Sequence, residues 1–185
     1  MKLVKDDYNI NEKTVLLTGE YVKNGRQWTR VIEGEETFLV KKRPMELINK
    51  ALLCLGSDFR AARRSSRYIL GECHMCPIRI NCNLGIWLFP TKSYRDEHCI
   101  WFSLMHVKDT KPSGIRRTKV FLSYNHEFEI EMKETSFKNK KNKAIQLRES
   151  MLRNSQSPLT FYLEPKKGLK IIEGPGLNRY ELKKE

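Results

Sequence analysis

The sequence predicts an α+β fold: short antiparallel β-strands forming a sheet core, with one N-proximal helix and one C-proximal basic helix. Three observations predict it. Short apolar segments bounded by turn residues recur along most of the chain. Around Met45–Leu55 and again around Phe137–Leu152 the apolar spacing changes to threes and fours, the helical period. The 185 residues, 39% of them hydrophobic, suit one compact body at roughly 150 residues per domain.

Thr14-Val15-Leu16-Leu17 reads as the first strand. Trp28–Ile32 and Thr37–Val40 read as a pair joined by Glu33-Gly34-Glu35-Glu36. Pro44 suits a first helical turn, where its missing N–H would be unpaired in any case. Met45, Ile48, Leu52 and Leu55 then share one helix face, and Gly56 is the expected stop. An arginine-rich stretch follows from Arg60 to Arg67. Strands resume at Ile78–Ile80 and Ile86–Phe89, the latter ended by Pro90, and Ile100–Val107 is expected to be one central strand. Thr118–Met132 reads as a hairpin turning at Tyr124-Asn125, because Asn tolerates positive φ. From Thr135 the pattern is a lysine-rich helix with Phe137, Ala144, Ile145, Leu147, Met151 and Leu152 apolar, broken at Ser155–Pro158. Beyond Leu159 come a strand-like piece and Gly174-Pro175-Gly176, with little order expected after it.

Charge is the outlier. Thirty-five Lys and Arg against 22 Asp and Glu leave a net +13, with an isoelectric point near 9.6. An excess of that size favours a polyanionic partner. The longest uncharged stretch, Ile80–Thr91, is too short to cross a membrane as a helix. Met1–Asp7 has no apolar core or small-residue cleavage site, so a secretory signal is not expected. Five cysteines are an odd number; reduced thiols in a cytoplasmic protein are the expectation.

The cations fall into three groups. Arg60, Arg63, Arg64 and Arg67 occur without an intervening acid. Lys108, Lys111, Arg116, Arg117 and Lys119 form the second group, and Lys138, Lys140, Lys141 and Lys143 the third. A solvated face accounts for a lysine group taken singly. Guanidinium forks differ: they match phosphate and base edges, and they enter the narrow, electronegative minor groove of A-tracts. Pro44–Leu55, Gly56-Ser57 and Phe59–Ser66 also allow a helix–turn–helix reading. Ser65-Ser66 weakens the second helix, and a helix followed by an irregular basic loop is the simpler expectation.

Cys73-His74-Met75-Cys76, Cys82 and His98-Cys99 offer soft ligands, but no second CxxC matches the first, and small buried thiols fit the flanking apolar segments as well. No metal and no cofactor are assigned. Nucleophile elbows, phosphate-binding glycine loops and HExxH are missing from the sequence, so no catalytic residue is assigned and no enzymatic activity is expected. His106 reads as a satisfied core histidine and His126 as exposed near a hairpin tip.

Several pieces, in this order and spacing, resemble the bacterial competence transcription factor family ComK. They are Arg43-Pro44-Met45, Gly56-Ser57 with Phe59 and Arg63, His74 before Pro77-Ile78, Leu88-Phe89-Pro90-Thr91, Trp101 with Ser103, His106-Val107, and Ser136-Phe137 with Asn139. The resemblance runs from about Lys41 to Leu147. The chain departs from it where Arg60 stands for a small residue, and in carrying Cys73, Cys76 and Cys82.

The resemblance implies a transcriptional activator of DNA-uptake genes that recognises paired A/T-rich boxes of double-stranded promoter DNA, mainly through the minor groove. It implies a homodimer assembling to a tetramer on DNA, and RNA polymerase as a further partner. Phe161, Leu163 and Pro165 resemble the segment bound by the adaptor MecA, which delivers the family to ClpC–ClpP, although Glu164 replaces an aromatic there. Arg60, Arg63, Arg64 and Arg67 are then expected at the groove, and Arg116, Arg117, Lys119, Lys140 and Lys141 at phosphates. Trp87, Phe89 and Trp101 are expected in the core or at a dimer contact. Residues 1–155 would form a single DNA-binding and oligomerisation domain, and 156–185 an adaptor-binding, partly disordered tail. An RNA-binding or ribosome-associated basic module is the alternative that the charge suits equally.

Overall fold

A computed structural model of the chain describes residues 3–155, 169–177 and 179–182. The chain divides into two compact units, Met1–Ser155 and Gln156–Glu185. The larger contains a seven-stranded sheet, a three-stranded sheet and three helices.

The large sheet comprises β1 (Val4–Lys5), β2 (Thr14–Tyr21), β3 (Gln27–Glu33), β4 (Glu36–Val40), β5 (Ile78–Asn81), β6 (Ile86–Pro90) and β7 (Ile100–Ser103), in the order β1-β4-β3-β2-β7-β6-β5. Only β1–β4 is parallel among its pairs. The β3–β4 pair predicted from sequence closes through Gly34-Glu35, with Glu33 opposite Glu36 and Gly34 at φ 54°.

Helices α1 (Pro44–Leu53) and α2 (Phe59–Leu70) cover one face of this sheet. The other face carries α3 (Glu134–Ser155) and the small sheet of β8 (Val107–Gly114), β9 (Arg117–Leu122) and β10 (Glu127–Ile130). The strands therefore serve two cores. Along β6, Ile86 and Leu88 point into the core beneath the α1–α2 pair, while Trp87 and Phe89 point into the core beneath α3. Burial on both faces explains why Ile86-Trp87-Leu88-Phe89 is a continuous apolar run instead of an alternating one. Trp87, Phe89 and Trp101 are all core residues. Phe137 anchors α3, its ring 5.5 Å from Phe89 and 5.3 Å from Phe102 in edge-to-face contacts.

Four expectations need correction. The arginine-rich stretch is helical, so the N-proximal helix is one of a pair. Ile100–Val107 is not one strand: β7 stops at Ser103, a 3-10 turn spans Leu104–His106, and Val107 begins the small sheet. An apolar run cannot by itself show that its two ends belong to different sheets. Leu55 is exposed, and Leu47 takes its place beside Ile48 and Leu52 in the core. His126 is half-buried, 2.7 Å through Nε2 from the Gly34 carbonyl, and so ties the β9–β10 turn to the β3–β4 turn.

His106 is buried as predicted but only half satisfied: Nε2 lies 2.7 Å from the Glu12 carbonyl, while its buried Nδ1 has no hydrogen-bond partner among the described residues. Tyr124 and Asn125 both turn the β9–β10 hairpin at φ 60°. In the second unit, β11 (Leu169–Ile172) and β12 (Arg179–Leu182) form an antiparallel pair around Gly174-Pro175-Gly176. Order thus extends past the point where the sequence predicts its end. Residues 156–168, including the adaptor-segment residues Phe161, Leu163 and Pro165, lie outside the described residues.

Candidate nucleic-acid interface

Helix α2 starts and stops on local signals. The Asp58 carboxylate accepts the Ala61 N–H at 2.7 Å, an N-cap, and Gly71 ends the helix at φ 75°, a conformation that favours glycine. The turn before it is set by α1: Gly56 sits at φ 73°, and the Ser57 N–H donates to the Leu52 carbonyl at 3.0 Å. Asn49 on α1 accepts the Phe59 N–H at 3.0 Å, which fixes the two helices to each other. Ser66, which the sequence reading treats as a breaker, is buried with its hydroxyl donating to the Ala62 carbonyl at 3.0 Å. That back-bond satisfies the hydroxyl inside the helix.

Arg60, Arg63, Arg64 and Arg67 follow one another at intervals of three, one and three, which puts all four guanidinium groups on one side of α2. The opposite side, with Phe59, Ala62, Ile69 and Leu70, packs on the cores. Arg60, Arg64 and Arg67 are exposed and Arg63 is half-buried. None of the four forms an ion pair with a carboxylate among the described residues. Arg63 goes further, because its buried Nε has no hydrogen-bond partner there.

The four line an open cleft of about 630 Å³ with Phe59, Tyr68, Tyr94 and Arg95. The Arg63 and Arg95 guanidinium groups lie 5.2 and 5.5 Å from the centre of the Tyr94 ring. Tyr68 stands 92% exposed beside them. A cleft of forked donors and aromatic faces, with no carboxylate in its lining, is chemically suited to a phosphate chain and to stacking against flat rings.

The other predicted cations sit differently. Arg117 pairs with Glu129 at 3.5 Å and Lys119 with Glu127 at 3.1 Å, both across β9–β10. Lys141 donates to the Val107 carbonyl at 3.1 Å, and Lys140 lies against the Met75 sulfur at 3.0 Å. Burial lowers the pKa of both ammonium groups. Arg116, on the turn between β8 and β9, is exposed. The fold brings the four arginines together with Arg95 and does not bring the β9 and α3 cations into their cleft.

The sequence model of the ComK protein family matches residues 5–156. The chain belongs to the ComK family. The competence transcription factor of Bacillus subtilis (strain 168) is 26% identical over 134 residues, spanning 72% of this chain and 69% of that protein. No solved structure matches the chain.

In this ComK-family chain, Tyr68, Tyr94 and Arg95 line the arginine cleft and were not named by the sequence reading. The available signal was the Tyr94-Arg95 pair, an aromatic beside a cation, but its distance of some thirty positions from Arg63 hid the contact. No group of three or more His, Cys, Asp or Glu that could hold a metal ion occurs among the described residues. The Cys76 thiol donates to the Cys73 carbonyl at 2.6 Å, and burial, with Cys73 beside it, pushes its pKa up to about 12. Burial likewise raises Cys99 to about 11. No helix among the described residues is long and apolar enough to cross a membrane.

Proposed function

We propose that this chain is a DNA-binding transcriptional activator of DNA-uptake genes that selects A/T-rich duplex mainly through the minor groove. Family membership carries the coarser part, a transcription regulator of competence. One observation supports the finer part: four arginines on one face of α2, without carboxylate partners, around an aromatic cleft. An α-helix is about 10–12 Å across and the minor groove about 6 Å wide. Helix α2 therefore lies across the groove and its guanidinium groups reach in, where A-tracts concentrate negative potential. Arg116, Arg117, Lys119, Lys140 and Lys141 hold phosphates further out, the last four more weakly because their side chains already have partners.

The larger unit serves as a DNA-binding and oligomerisation domain. Two copies space their arginine faces along paired boxes, and a tetramer assembles on the promoter. RNA polymerase and the adaptor MecA with ClpC–ClpP complete the partners, in a cytoplasmic protein held at the nucleoid and without enzymatic activity.

Competition among A-tract duplex, G·C-rich duplex and structured RNA tests this reading. The A-tract duplex should win, and R63A/R64A should lose most of that preference together with affinity. Equal binding to both duplexes overturns the minor-groove reading. Preference for the RNA replaces the promoter-binding reading with an RNA-binding one.

A further inference from the structure

The β8–β9 hairpin ends in a two-residue turn, Ile115-Arg116, between the paired residues Gly114 and Arg117. Ile115 is 94% exposed, and every residue from Lys111 to Arg117 is exposed with it. Turn positions ordinarily take Gly, Asn, Asp or Ser for their conformational ease, so a β-branched isoleucine there is explained by neither turn chemistry nor burial. The third strand of this sheet stops earlier: its last paired residue, Ile130, lies opposite Thr118. The tip thus runs on for about two residues, roughly 7 Å at a strand's rise, close to the ~7.5 Å depth of a minor groove.

The surround is cationic. Arg116 shares the turn and has no ion pair among the described residues, and Arg117 follows it. Lys111 and Lys119 sit directly opposite each other on β8 and β9. Lys119 is answered by Glu127 at 3.1 Å, which leaves Lys111 and Arg116 as the cations near the tip without an ion pair among the described residues; a polyanion laid against the tip would supply the missing counter-charge.

We propose that Ile115 is an intercalating wedge: it enters a base step of the bound duplex from the minor groove, unstacks it and bends the DNA, with Arg116 guiding the tip in. The proposal rests on the DNA-binding reading above. An apolar side chain inserted between base steps, flanked by cations that read the minor groove, is a sufficient cause of a kink, and A/T-rich steps such as TA yield most easily. A second copy of the chain is the competing occupant, but Lys111 and Arg116, neither ion-paired among the described residues, would repel their equivalents across a symmetric contact.

The test uses the full-length protein with an A/T-rich duplex that carries end fluorophores and a 2-aminopurine placed in turn at each step. The wild type should bend the duplex by roughly 20–90° and brighten 2-aminopurine at one step per tip. I115S should abolish both signals and weaken binding about tenfold, whereas I115L should keep them. Binding by the wild type without bending or unstacking overturns the wedge and leaves the DNA-binding reading standing. Absence of binding overturns that reading first and the wedge with it. A shift in the sedimentation of DNA-free protein on I115S, with bending unchanged, assigns the tip to a protein contact and overturns the wedge.

Discussion

The arginine face of α2 and the cations of β9 and α3 are the two most basic regions of the larger unit, yet they stand in opposite electrostatic situations. Arg117 and Lys119 face Glu129 and Glu127, and Lys141 is spent on a backbone carbonyl. At the N-terminal edge, too, Lys41, Lys42 and Lys50 are answered by Asp6 and Asp7. Arg60, Arg63, Arg64 and Arg67 form no ion pair among the described residues, and no carboxylate lines their cleft. Exposed ion pairs contribute only about 0–1 kcal/mol each to stability, so their chief effect is to cancel the field outside the protein. What singles out a polyanion-binding surface here is uncancelled charge on a rigid element, and the number of cations alone is a poor guide.

Three experiments break or sharpen this contrast. The largest effect is expected from replacing all four α2 arginines by Gln, measured as the salt dependence of binding to A/T-rich duplex. If each neutralises one phosphate, log affinity against log salt should flatten by about 3.6, on the order of a hundredfold in the affinity lost between 50 and 200 mM. A smaller effect is expected from R117Q/K119Q, which removes two cations but also frees two carboxylates. The slope should flatten by less than about 1.8, the value for two fully engaged contacts. Should this double variant match the quadruple one, the contrast between regions is wrong.

The smallest effect concerns pH and only the second region. His106 roots the small sheet, and burial, with Lys108 adding to it, lowers its pKa below the ordinary 6.5. The folded state therefore takes up this proton later than the unfolded chain does. Stability present above about pH 6.5 should be lost as pH falls toward the folded-state pKa. Urea midpoints at about pH 7.5 and about pH 5.5 should show the fall, with a shallower one in H106Q. His106 is not part of the arginine cleft, so the salt slope of DNA binding should be the same at both pH values for protein that remains folded.

Most elements were legible in the sequence because each carried its own signal. Pro44 opens α1, Gly56 follows it, and Phe137, Ala144 and Leu147 mark the buried side of α3. Helix α2 was the main loss. Ser65-Ser66 reads as a break only if both hydroxyls must face water, and the Ser66–Ala62 bond shows one absorbed by the helix itself. The Asp58 cap and the three-one-three arginine spacing were signals in the sequence that the reading did not use. Strand β8 was missed for another reason: only Val107 and Thr110 are buried along it, and Pro112 sits at an edge where no ladder N–H is needed. Of the candidate site, the four arginines were visible as charge, while their cleft with Tyr94 and Arg95 depends on tertiary contact that no local pattern encodes.

The strand Ile86–Pro90 belongs to both hydrophobic interiors at once. A lesion on either side of it reaches the other through a single backbone, so the arginine helix and the basic hairpin should melt in one cooperative transition. Destabilising the larger unit would therefore remove both elements together, never one while the other persists. Control of abundance would then act all-or-none on the whole of the proposed DNA-holding surface.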